Sequence, residues 1–156
     1  DGTGFASNEF ALTELPFAGT SVTWNEALGR YAVLDGGTVS LYDESGALVT
    51  AEGVTNTFNP KSSVSSVGKI SSVSSDEKYI YVSFRSDGQT NIPIEIYDWN
   101  GNHVASCAPN SASYPADGFN VQSLFEYNGS MYATVCSFGT AGYYMYVWAI
   151  TPVAQM

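Results

Sequence analysis

Residues 78–104, KYIYVSFRSDGQTNIPIEIYDWNGNHV, hold two strand-like runs around a polar loop, then a tight turn into a third run, and the rest of the chain repeats this pattern. Leu41-Tyr42-Asp43-Glu44-Ser45-Gly46 superposes on Ile96-Tyr97-Asp98-Trp99-Asn100-Gly101 at an offset of 55 residues (41 to 96). Arg30-Tyr31 superposes on Lys78-Tyr79 at an offset of 48 (31 to 79). The difference falls in the loop between those strands, short at Asp35-Gly36-Gly37 and long from Arg85 to Ile92. Units of about 50 residues with four short strands each have the period of propeller blades. One such sheet cannot bury both its faces alone, so neighbouring sheets must stack to make the core.

Read in order, the chain opens with a Gly- and Ser-rich terminus. A lone strand is expected at Phe10–Leu15, closed by Pro16. The first unit, about residues 20–54, carries strands at Ser21–Trp24, Tyr31–Leu34, Thr38–Asp43 and Ala47–Ala51. A Ser/Thr-rich connection leads to the second, about 67–107, with strands from Lys69, Tyr79 and Pro93 and a last one ending near Ser106. The third, about 120–151, has Val121–Tyr127, Ser130–Ser137 and Tyr144–Ile150. Asn128-Gly129 between the first two is a hairpin signal, because both residues accept positive φ. The expected fold is therefore all-β, one domain of about three four-stranded antiparallel blades. Its third blade is split between the chain ends.

YIYVSF, a variable loop, then IEIYDWNGNHV resembles a blade of the bacterial six-bladed propellers of the NHL and TolB-like kind, as in secreted or lipoprotein-anchored proteins of gut bacteria. The resemblance covers about Ser21 to Ile150 and implies a secreted, periplasmic or cell-surface location. Propellers have about four to eight blades, so three imply half a ring. A second copy, or blades outside this chain, would complete it, since open blade faces and edges invite aggregation.

The net charge of −10, from 15 acidic and 5 basic residues, argues against nucleic acid, whose phosphates need Lys and Arg. No run of 18 apolar residues offers a membrane span. The start at Asp1, with neither Met nor an apolar leader, reads as a mature form or fragment whose signal peptide has gone. Cys107 and Cys136 read as reduced core thiols, with a disulfide between neighbouring strand groups as the alternative that geometry decides.

Chemistry is sparse. Asp98 to Asn102 spaces oxygens faintly like a calcium loop, but the twelfth position holds Pro109 where a bidentate Glu belongs, so a plain turn is expected. His103 is the one histidine; without a partner near it in sequence it reads as a surface residue. No Gly-x-Ser-x-Gly elbow accompanies the many serines, and no metal, cofactor or catalytic residue is expected. Asn128-Gly129-Ser130 fits a glycosylation pattern already explained as a turn.

In propellers the loops between second and third strands share one face with the connections between blades, and loops on rigid scaffolds bind ligands. Arg85, Asp87, Gln89 and Asn91 from one such loop, Phe138 and Tyr143 from the expected loop Ser137–Tyr143, and Tyr114 and Phe119 from a connection would offer amide hydrogen bonds and flat apolar surfaces. That chemistry suits a carbohydrate or peptide ligand. The expected function is a non-catalytic ligand- or protein-binding or scaffold module of a secreted or surface-attached bacterial propeller protein. The alternative is a fragment of a propeller hydrolase or lyase whose catalytic residues lie partly outside this chain.

Overall fold

Strands organise the described residues throughout, and none of these residues is helical. The computed structural model describes residues 14–61, 69–85, 93–107, 118–139 and 142–151, apart from the side chains of 69, 118, 137–139 and 143. The expected strand Phe10–Leu15 falls mostly outside them, as do Asp87, Gln89, Asn91 and Tyr114.

The first sheet is β1 (Ser21–Asn25), β2 (Arg30–Asp35), β3 (Thr38–Asp43) and β4 (Thr57–Phe58) in spatial order. The second is β5 (Lys69–Ser75), β6 (Tyr79–Arg85), β7 (Ile94–Asp98) and β8 (His103–Cys107), also in order. The third has three strands, β9 (Gly118–Tyr127), β10 (Ser130–Gly139) and β11 (Gly142–Ile150), with β10 central. All neighbours within the sheets are antiparallel. The chain is all-β, in blade-like sheets of four, four and three strands.

The sheets stack in chain order. Ala32, Leu34, Val39 and Leu41 of the first meet Val73, Ile80, Val82 and Tyr97 of the second in one apolar cluster. Tyr81 and Ile94, from the other side of the second sheet, meet Phe119, Val121, Met131 and Val135 of the third. This explains the unbroken buried run of β6: a strand covered on both faces has no reason to alternate polar and apolar residues. Hydroxyls join β1 to β5. Ser21 Oγ accepts from Val73 N at 3.0 Å, Thr23 and Ser75 share a 2.6 Å hydroxyl bond, and Asn25 Nδ2 donates to Glu77 O at 3.0 Å. All three contacts advance together along the chain, so the two strands run the same way.

Three expectations need correction. Ala47–Ala51 is not a strand: Leu48 makes one isolated bridge to Tyr42, the chain swings out through Glu52-Gly53, and it returns to β3 as β4. Asn56 stabilises that excursion by donating to Val49 O at 2.8 Å. Next, Ser137–Tyr143 is not an open loop. Phe138 pairs with Tyr143 and Gly139 with Gly142, leaving only residues 140–141 between the strands, because strand-forming residues flank two turn-tolerant glycines. Finally, Tyr31 lies beside Tyr42 as Ile80, not Tyr79, lies beside Tyr97. The repeat offset there is 49 (31 to 80). One residue of slip exchanges the two faces of a strand, so this decides which side chains correspond.

Candidate functional site

The turns sort to two edges of the stack. One edge carries the β2–β3 turn at Gly36-Gly37, the end of β6 and the β10–β11 hairpin. The other carries the turns after β1, β5 and β9, each of them short. It is on this second edge that a cavity of about 520 Å³ opens, lined by Asn25, Glu26, Asp76, Lys78, Tyr79 and Glu126 among others.

Asp76 builds the cavity wall. Its Oδ1 accepts Lys78 N at 2.8 Å and Tyr79 N at 2.7 Å, an Asx-type turn closing the β5–β6 hairpin. Its Oδ2 accepts the Tyr81 hydroxyl at 2.7 Å, and its carbonyl accepts Trp99 Nε1 at 3.1 Å. A carboxylate with both oxygens occupied by protein donors is a structural tie rather than a ready general base. Glu126 likewise accepts its own turn's Gly129 N. The cavity is acidic, with its carboxylates committed at two of its turns.

Burial, then the hydrogen bond and charge of Asp76, push the Tyr81 phenol above its ordinary value of 10. The folded chain therefore holds this proton more tightly than the unfolded one. The resulting stability is fully present below about pH 10 and is lost as pH rises beyond it. Tyr81→Phe is expected to cost about 1 kcal/mol at neutral pH and to flatten the alkaline loss. Tyr97, raised mainly by burial, leaves a residual slope. Denaturant midpoints from pH 8 to 11 check this; equal alkaline slopes in variant and parent would assign the effect elsewhere.

The two Asp-led turns are plain turns, as expected. Asp98 Oδ1 accepts Asn100 N and Asn102 N, both at 2.9 Å. Asp43 Oδ1 accepts Ser45 Oγ at 2.6 Å, Ala47 N and Ser45 N. The Ser45 hydroxyl, then the Ala47 amide, hold the Asp43 carboxyl below the usual range. Among the described residues no group of three or more His, Cys, Asp and Glu could hold a metal ion.

His103 is not partnerless. Its Nε2 lies 2.7 Å from Oε2 of Glu95, which is 0% exposed and also accepts Ser106 Oγ at 2.5 Å. A β-bulge between Ile96 and Tyr97 brings the histidine alongside. The trio is no hydrolase triad, because serine bonds the carboxylate and not the imidazole. Cys107 and Cys136 are not joined in a disulfide. Cys107 borders the space between second and third sheets, where burial pushes its thiol up. Cys136 pairs with exposed Met145 on the third sheet's outer face.

Of the residues expected at a ligand surface, Arg85 is exposed at the end of β6. Phe138 and Tyr143 are backbone neighbours in the β10–β11 hairpin. Phe119 is 2% exposed, inside the core between second and third sheets. Sequence reasoning missed the cavity, the Glu95–His103 pair and the packing of Phe17; the alternation of carboxylates with turn residues was the one available signal for the first.

No family model, curated protein or solved structure matches this chain. No helix among the described residues is long and apolar enough to cross a membrane.

Proposed function

We propose that this chain is part of a β-propeller and serves as a non-catalytic binding or scaffold module of a secreted or surface-attached bacterial protein. Its blades resemble the NHL and TolB-like kind. The observation that supports this best is the stacking itself. The β1 and β5 strands run the same way, consecutive sheets bury equivalent faces, and Arg85 stands exposed at the end of β6 on the edge that also carries the β10–β11 hairpin. A rigid scaffold that carries loops along one edge is suited to presenting a ligand surface.

The ligand class is a carbohydrate or an extended peptide. Glycan and peptide arrays probed with the chain should show a saturable hit, and Arg85→Ala should weaken it about tenfold, the loss of one charge-assisted hydrogen bond. Silence on both arrays overturns the binding reading, and turnover of an arrayed glycan or peptide replaces it with the enzyme-fragment alternative.

A further inference from the structure

We propose that two copies of this chain close on each other head to tail, the first sheet of each docking on the outer face of the other's third sheet. This rests on the blade reading above.

The outer face of the third sheet repeats the face with which the second sheet meets the third. Tyr81 pairs with Ile96 and Ser74, and Tyr132 pairs with Ala149 and Phe125 at the same place in the register. The hydroxyl pair Ser72–Ser83, 2.7 Å apart, corresponds to Ser123–Thr134, 2.5 Å apart. In the second sheet these positions are under cover, with Ser83 at 1% exposure; in the third, Val147 is 61% and Met145 63% exposed. Among the described residues the pattern of a sheet-to-sheet contact is present and its partner is not.

The other end of the stack is occupied differently. A strap, Glu14–Thr20, crosses the outer face of the first sheet, tied by Thr20 N to Leu34 O at 2.8 Å. Phe17 stacks on Tyr42 with ring centres 5.2 Å apart, as Phe58 of β4 stacks on the corresponding Tyr97 at 4.7 Å. Pro16 sits against Gly46 as Thr55 sits against the corresponding Gly101. On the first sheet the strap thus stands where the outer strand of a preceding sheet stands on the second. The third sheet is the one with three strands among the described residues, its edge formed by β11. A second copy reconciles these facts: its strap lies along β11 in the place of a fourth strand, and the first sheet beneath that strap covers the open face.

Charge permits this. The chain carries −10, yet Phe125, Tyr132 and Val147 on one face and Val22, Trp24 and Tyr31 on the other carry none, so self-repulsion stays off the contact. At ordinary strand rise and spacing the third-sheet face measures roughly 30 Å by 14 Å. Two such contacts in a closed pair bring together roughly 1,700 Å² of facing surface, the scale of a stable interface.

Light scattering on a sizing column tests it. The parent chain is expected at twice its chain mass. Val147→Glu, on the third sheet, and Val22→Glu, on the first, both change exposed positions and should each give the monomer mass with unchanged circular dichroism. An equimolar mixture of the two keeps one intact contact and should regain the pair mass at higher concentration. A monomeric parent overturns the proposal, and so does a dimer that survives Val22→Glu while Val147→Glu abolishes it, which would be a third-sheet-to-third-sheet contact. Either result leaves the binding-module reading intact; that reading falls on the arrays alone.

Discussion

Phe119→Ala is expected to lower the stability of the fold by about 3–5 kcal/mol, the range for deleting a buried aromatic ring and leaving a cavity. The ring lies in the cluster that joins the second and third sheets, with Tyr81, Ile94, Val121, Met131, Ala133 and Val135. Few neighbours there can collapse into the gap, because strands on both sides are pinned by their ladders. Phe125→Ala, made together with Val22→Glu so that both parent and variant are monomeric, supplies the control: that ring is on the same strand, 40% exposed and stacked on Tyr132, and its loss should cost about 1 kcal/mol or less. Urea denaturation of the two variants makes the comparison. If Phe119 were instead a ligand platform, its removal would spare stability and abolish binding on the arrays. The expected order is the reverse.

That contrast also shows where sequence reasoning stops. Positions 119 and 125 are separated by six residues, and strict alternation puts them on one face. The structure puts them on opposite faces because β9 carries one extra residue at Gln122, where Val135 pairs with Val121 but Thr134 pairs with Ser123. No local propensity announces such a bulge. The bulge beside Tyr97 that brings His103 to Glu95 was hidden in the same way. What was legible is what short-range chemistry decides. Asn128-Gly129 forms its hairpin with φ of 51° and 77°, and the Asp-led turns at 43 and 98 close by side-chain capping. The repeat was legible too, at one strand displaced by a residue, since Tyr31 and Tyr79 look alike in sequence while the register makes Ile80 the counterpart of Tyr31. Phe17 went unread because its role depends on Tyr42, part of the sheet it crosses rather than of its own segment.

Gly101→Ala should be the most damaging change on the surface. Gly101 adopts φ of 83°, a conformation that costs an L-residue about 1–2 kcal/mol. A Cβ there would also fall inside contact distance of the Thr55 carbonyl oxygen, which is backbone and has little room to yield. The turn cannot retreat, because it fastens the first two sheets together, Thr55 N donating to Asn100 O at 2.8 Å and Arg30 Nη1 to Trp99 O at 3.1 Å, while Trp99 Nε1 anchors it within its own sheet to Asp76 O. A total loss of about 3 kcal/mol or more is expected. Gly129→Ala isolates the conformational part, since Gly129 has φ of 77° but open space around its Cβ position; it should lose only about 1–2 kcal/mol. The difference between the two variants, read from thermal or urea unfolding, measures how tightly the first and second sheets are pressed together at this turn. Equal losses would mean that the Thr55 segment moves aside freely and that the sheets are held by their apolar cluster and the β1–β5 hydrogen bonds.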